Sequence, residues 1–396
     1  MNKKLTLPED MELLRARVRN ALGNVRQASP RHMPYNVYAF SGERLYRAGE
    51  LPEYYLVFFV LKELLGFADL GQDEKVAWSF PVELRETLYH IEYRKMGLGI
   101  FSHSGSRGDA AEIARALFSA VKAARPWFAW RAAGAVAASK LNVTNHCASL
   151  YRRYDYLLRL YRKACAGMLR AQRRPARVAD DDISHTFTEA MKQLARAQRF
   201  RQRANWLALS AIEAFFSWTE HLFVHLAIVA QGCGRGEEVA SLAEADWQDK
   251  FNRALDTRQP DIKLFYDELI CIRRQLRNVI AHGAFGKNRE AFSFHSQTGA
   301  VPVNLPLYGK PGKYSLSGEL AFDEDEVISL IERFITCLQN SIYAPAMFYL
   351  LESGLPTILT HASDGTYAHA MQSMAKMKVL VEHLTEKFDR AANMDW

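Results

Sequence analysis

Along residues 261–282, apolar side chains recur at steps of four and three: Phe265, Leu269, Ile272, Leu276 and Val279. That period predicts an amphipathic helix with a single buried seam. Upstream, a helix is expected from about residue 184 to 230, ended by the glycines of "QGCGRGEE". A shorter helix is expected near 241–255. After it comes the 261–282 helix, then alternating apolar and polar residues between Gly and Pro turns over about 291–322, the pattern of a small β-hairpin insertion. The acids of "DEDE" suit the start of another helix carrying Ile331, Phe334, Leu338 and Ile342. A last helix is expected over about 366–392, with Met371, Met374, Met377 and Leu380 as a packing stripe.

The first 180 residues read as a helical domain with irregular stretches. Residues 51–67 ("LPEYYLVFFVLKELLGF") suit a core, and Val82, Leu84, Leu88 and Ile91 stand at near-helical spacing. "MGLGIFSHSGSRGD" reads as a glycine-punctuated loop with a helix starting at Asp109. The expected fold is mainly α: a helical N-terminal domain over 1–180, a helical bundle over 184–350 with the hairpin inserted, and a C-terminal helical extension over 351–396. Nothing repeats at a fixed period.

Composition changes this picture little. With 396 residues, 49% hydrophobic and 24% charged, the chain has the balance of a globular protein. The five cysteines form no C-x-x-C pair and are odd in number, which fits reduced thiols in a cytoplasmic protein and no disulfide frame. "MNKKLTLPED" turns acidic before any apolar run develops, so no signal peptide is expected. Residues 204–230 are apolar enough to suggest a membrane span, but they carry Glu213, Glu220, His221 and His225. Each charge at bilayer depth costs about 3 kcal/mol, so a buried core helix is expected. His221 and His225 have the i,i+4 spacing of metal ligands, but no third ligand is evident in the sequence, and no metal or other cofactor is assigned.

Charge is concentrated. Residues 150–203 hold 14 Lys and Arg against five acids, a local balance of +9 within a net charge of +7. "YRRYDYLLRLYRK" interleaves tyrosines with Arg152, Arg153, Arg159 and Arg162. Basic groups neutralise phosphates and aromatic faces stack unpaired bases, so these arginines are RNA-binding candidates. A solvated helix whose tyrosines pack inward fits the same pattern. "RRPARVADDDIS" reads as a linker.

The stretch "RRQLRNVIAHGAFGK" gathers arginines, an asparagine and a histidine at the end of the 261–282 helix. At about 100° per residue, Arg274, Arg277, Asn278 and His282 fall opposite the apolar seam. A histidine titrating near neutrality takes and gives protons. A neighbouring arginine holds a phosphate in two-point contact and steadies charge on its oxygens. RNA brings its own nucleophile, the 2′-OH, so positioning, proton transfer and charge stabilisation suffice without a metal. Ser210, Glu213, Ser217 and Glu220 form a polar stripe on the preceding long helix. That stripe either meets the Arg277 region, with Glu213 or Glu220 pairing an arginine, or faces solvent.

Arg277-Asn278-Val279-Ile280-Ala281-His282, within "LRNVIAHG", resembles the R-x4-H signature of the HEPN superfamily of helical proteins. The resemblance covers about 184–350. It implies a metal-independent endoribonuclease that dimerises so that two motifs build one cleft, leaving 2′,3′-cyclic phosphate and 5′-OH ends. By that resemblance His282 is the general acid and base, Arg277 holds the scissile phosphate, and Asn278 orients one of them. Prokaryotic members often act as toxins or anti-phage effectors, some held by an antitoxin or regulatory partner. Members modified by a nucleotidyltransferase antitoxin often carry a tyrosine two residues after the histidine, where this chain has Ala284. The alternatives are a non-catalytic HEPN module that binds RNA, nucleotide or protein, and a structural helical protein whose His282 caps a helix.

Overall fold

A computed structural model of the chain describes residues 11–28, 42–46, 48–173, 183–282, 293–296, 299–302 and 323–394. The fold is predominantly helical, as the hydrophobic period predicts, with short antiparallel sheets. The chain divides into two compact units, Met1–Ala138 with Glu382–Trp396, and Ser139–Val381.

The first unit is not all-helical. Helix α1 (Met11–Leu22) is followed by strands β1 (Arg26–Gln27) and β2 (Glu43–Tyr46). Helix α2 (Tyr54–Phe58) runs into a π-helical turn, Phe59–Leu64, and residues 51–67 do reach the core through Val57, Val60, Leu61 and Leu64. Strands β3 (Val76–Leu84), β4 (Thr87–Arg94) and β5 (Gly97–Ser102) complete a sheet of order β1-β3-β4-β5-β2.

The stretch expected as helix around Val82–Ile91 is therefore a β-hairpin, and residues 97–102 of the expected glycine loop after it form a strand. Leu84 pairs with Thr87 across a two-residue turn, Arg85–Glu86, with φ of 52° and 64°. Such a turn usually announces itself by Asn or Gly, and here it does not. The register sets Phe80 opposite Ile91 and Val82 opposite Tyr89, all fully buried, so Val82, Leu84 and Ile91 line one sheet face while Leu88, opposite Glu83, lies on the other.

Helix α3 (Arg107–Ala123) covers that core with Ile113, Leu117 and small alanines. Its N-cap is Ser106, whose Oγ accepts the Asp109 N–H at 3.0 Å, so the helix begins at Arg107, two residues ahead of the expected start. Helix α4 (Arg125–Ala137) follows, with Trp127 buried.

The second unit opens with β6 (Asn142–Val143) and α5 (Cys147–Arg173). Helix α6 (Ile183–Val229) is the long apolar helix expected from the sequence. The expected linker falls largely on residues 174–182, outside the described residues. Because α5 buries Tyr154, Leu158, Tyr161 and Ala164 and packs along α6, the basic segment folds with the bundle, and the unit boundary lies at Ala138 and not near 180. At Gly167 the two helices approach so closely that a Cβ would meet the Phe200 ring at 2.7 Å.

Helices α7 (Gly236–Glu244) and α8 (Trp247–Ala254) replace the single helix expected near 241–255. Ala245 and Asp246 are extended, and the chain re-enters helix with Trp247 fully buried. Helix α9 (Pro260–His282) precedes the hairpin strands β7 (Ser293–Ser296) and β8 (Gly299–Pro302). The rest of the expected insertion, from 303 to 322, lies outside the described residues.

Helix α10 (Glu324–Gln339) is capped by Asp323, whose carboxylate accepts the Asp325 and Glu326 N–H groups. It buries Ile331, Phe334 and Leu338, but Ile342 lies beyond its end and is exposed. Pro345 stands in the first turn of α11 (Ala344–Glu352), where its fixed φ and missing N–H suit the start of a new helix. Strand β9 (Thr357–Ile358) pairs with β6 and leads to α12 (Leu359–Ser363).

The expected last helix is two, α13 (Thr366–Ala370) and α14 (Met374–Asn393). Ser373 accepts the Lys376 N–H at 3.2 Å and starts the second. Of the methionine stripe, Met377 is fully buried whereas Met374 is exposed. Residues 351–381 thus fold with the bundle unit and only the segment from Glu382 onward joins the first unit.

The core of the second unit is aromatic. Phe334 of α10 lies 5.4–6.5 Å from Phe215 and Phe223 of α6, Phe251 of α8 and Phe265 of α9, centroid to centroid. The buried Trp247 indole N–H donates to Thr219 Oγ1 at 3.0 Å, which satisfies the one polar atom such a ring brings inside.

Candidate functional site

Helix α9 presents its seam to the core as the period predicts: Ile262, Phe265, Leu269, Ile272 and Leu276 are buried, and Arg274 is exposed. The helical backbone continues through Arg277, Asn278 and His282, whose side chains lie outside the described residues. At about 1.5 Å rise per residue, the five-residue step from Arg277 to His282 spans roughly 7–8 Å along the axis.

One residue missed in the sequence anchors this helix. Arg273, one turn before Arg277, pairs with Glu220 on α6, and its guanidinium lies 5.6 Å from the Trp247 ring centroid. Glu220 therefore pairs with an arginine of α9, as one of the two sequence readings has it, but with Arg273. Glu213 and Ser217 are exposed, so that part of the polar stripe faces solvent. The available signal was the arginine's position beside the seam, one helical turn from Arg277.

On α5 the four arginine candidates separate. Arg152 and Arg153 are exposed with no ion pair to a described residue. Arg159 pairs with Asp155 at 2.9 Å, and Arg162 with Glu332 of α10. Tyr154 and Tyr161 are buried and Tyr156 is exposed, so most of the aromatic interleaving packs inward.

A second cluster forms where α5 begins. Cys147 is its first residue. Asn145 accepts the Cys147 N–H through Oδ1 at 2.9 Å, while its amide donates to the carbonyls of Leu350 and Leu355. This brace sets the fully buried Cys147 thiol beside His221 and His225 of α6, with one donor atom from each of the three within 4.8 Å of the others. The two Nε2 atoms are 2.9 Å apart. The His146 backbone N–H donates to His221 Nε2 at 2.9 Å, and His225 Nδ1 lies 2.9 Å from Thr357 Oγ1. Burial, with the neighbouring histidines adding to it, lowers His221 to about 4 and His225 to about 3, so both imidazoles are neutral at physiological pH. Burial pushes the Cys147 thiol up, while its place at a helix N-terminus works in the opposite direction. The third donor that the i,i+4 pair lacked in the sequence is thus supplied by the fold.

No described helix is long and apolar enough to cross a membrane, in keeping with the burial of Phe215, Trp218, Leu222 and Leu226 on α6. No protein-family model, no curated protein and no solved structure matches the chain.

Proposed function

We propose that the protein is a metal-independent endoribonuclease of the HEPN type, a toxin or anti-phage effector that works as a cytoplasmic homodimer. The observation that carries this reading is the placement of the R-x4-H run. Arg277, Asn278 and His282 occupy the closing turns of α9, whose seam is buried and which Arg273 pins to α6 through Glu220. A helix held by its buried seam and by the Arg273–Glu220 pair supports a reading in which geometry does most of the catalysis.

In the proposed reaction His282 takes the proton of a ribose 2′-OH and the oxygen attacks the adjacent phosphorus. The 5′-oxygen leaves with a proton returned by an imidazole. Arg277 holds the non-bridging oxygens as charge builds on them, and Asn278 orients the pair. The products are a 2′,3′-cyclic phosphate and a 5′-OH, with no redox change and no metal.

The test is incubation of the purified full chain with total RNA in EDTA, beside His282→Ala and Arg277→Ala. Cleavage that survives EDTA and falls by about 10²-fold or more in either variant is expected, with cyclic phosphate on the 3′ ends. Wild-type expression should also slow bacterial growth, and either substitution should relieve it. Undiminished cleavage by His282→Ala would overturn the assignment. RNA binding without any cutting would turn it to a non-catalytic module. Cleavage abolished by EDTA while the helical circular-dichroism signal is kept would remove the metal-independent mechanism.

A further inference from the structure

We propose that Cys147, His221 and His225 form a binding site for a zinc-class divalent transition metal that clips the start of α5 to α6. The reasoning begins with the proton positions. Thr357 Oγ1 lies 3.5 Å from the Val143 carbonyl, to which it donates, and is then free to accept from His225 Nδ1–H at 2.9 Å. In the tautomer that carries its proton on Nδ1, His225 Nε2 is bare. His221 Nε2 already accepts the His146 backbone N–H, so it is bare as well. In that tautomer two nitrogen lone pairs face each other at 2.9 Å, an arrangement that a cation bound by both relieves.

Zinc resolves that conflict. At Zn–N distances of about 2.0–2.1 Å and tetrahedral angles, ligand nitrogens stand about 3.3 Å apart. The two imidazoles thus need to open by a few tenths of an ångström, the Cys147 sulfur, within 4.8 Å of both nitrogens, must stand about 3.6 Å from each, and the His146 N–H must release its hold on His221. A thiolate and two imidazoles are a donor set that zinc and its neighbours favour over hard cations. The bond from His225 Nδ1 to Thr357 is the outer hydrogen bond that a ligating histidine ordinarily makes. His225 is fully buried, but His221 is only partly so and His146 is exposed, which leaves a path from solvent. The fourth position is open to water or to a turned His146, whose ring centroid is 5.7 Å from that of His221. On binding, the Cys147 thiol loses its proton to solvent and the sulfur bonds the metal, so about one proton is released per ion. None of these three residues belongs to the proposed ribonuclease set, so metal uptake and RNA cleavage succeed or fail independently.

The experiment uses the full chain, stripped with a chelator and titrated with zinc and then cobalt. Expected are one tightly bound zinc per chain, a raised thermal midpoint, about one proton released, and a near-ultraviolet thiolate-to-cobalt charge-transfer band. Cys147→Ser should abolish the band and weaken zinc binding by more than the roughly 10–100-fold that loss of an outer partner costs. Thr357→Val, which keeps all three donors, should keep the band and weaken binding within that same range. In a metal-free network, Thr357 would instead donate to Nδ1, and His225 Nε2–H to His221. Wild-type protein with no stoichiometric zinc and no thiolate band would establish that network and overturn the proposal. So would a band that persists in folded Cys147→Ser.

Discussion

Glu92 is fully buried on β4, where its carboxylate accepts from Arg94 Nε at 2.7 Å and from Ser79 Oγ at 2.9 Å. The Arg94 guanidinium in turn stacks 3.6 Å from the Phe101 ring centroid. His90 lies on the same strand face, 3.8 Å from the carboxylate. Burial, then His103 and Arg94, depress His90 to about 4 from an ordinary 6.5. Between those two values the unfolded chain binds more protons at this site than the folded one. Stability therefore rises with pH across the window and is lost as pH falls through it. Glu92 opposes this, because burial outweighs the Arg94 attraction and raises its pKa, so acid costs it less in the fold. Comparing wild type with His90→Gln isolates the histidine. The stability advantage of the variant should be greatest near pH 4 and should shrink steadily towards pH 6.5, as read by urea unfolding. A constant difference across that range would show that His90 does not titrate as its burial requires. None of this was legible in the sequence, because alternate residues of a strand share a face only once the stretch is known to be a strand.

Helices α6, α9 and α10 were legible because each buries one face at a period of about 3.6 residues, a pattern written locally in Phe265, Leu269 and Leu276 or in Ile331, Phe334 and Leu338. The β3–β4 hairpin was not, since Arg85–Glu86 carries no turn signal and Leu88, on the opposite sheet face from Val82, Leu84 and Ile91, breaks the two-residue alternation. Helix α5 shows what an element adds to a charge count. Its sequence offers four equivalent arginines, yet Arg159 and Arg162 are held by Asp155 and Glu332. If α5 contributes to RNA binding, Arg152 and Arg153 should carry most of it. Arg152→Glu with Arg153→Glu should weaken affinity and flatten the log–log salt slope by about 0.7–0.9 per lost phosphate contact. Arg162→Glu should chiefly lower stability, since it sets like charges side by side. A filter-binding salt titration that leaves the slope of the double variant unchanged would return α5 to a purely packing role.

At the scale of the molecule, the composite-cleft reading requires two copies, because one R-x4-H run supplies one imidazole and one guanidinium. Specific activity should therefore fall on dilution through the dimer dissociation constant, in step with the sedimentation coefficient. Full activity per chain in a demonstrated monomer would remove the composite cleft. The chain forms one compact unit from its two ends and another from the segment between, a division that no composition shift in the sequence marks. By itself the sequence determined the helical character, the buried seam of α9 and the position of the Arg277–His282 run, because helix periodicity depends on residues within a few positions of one another. Only the tertiary structure decided that residues 76–102 form strands, that Arg273 is the arginine Glu220 holds, and that Cys147 joins His221 and His225. Those outcomes depend on which faces of distant segments meet, and packing free energy summed over the whole core, not local spacing, selects them.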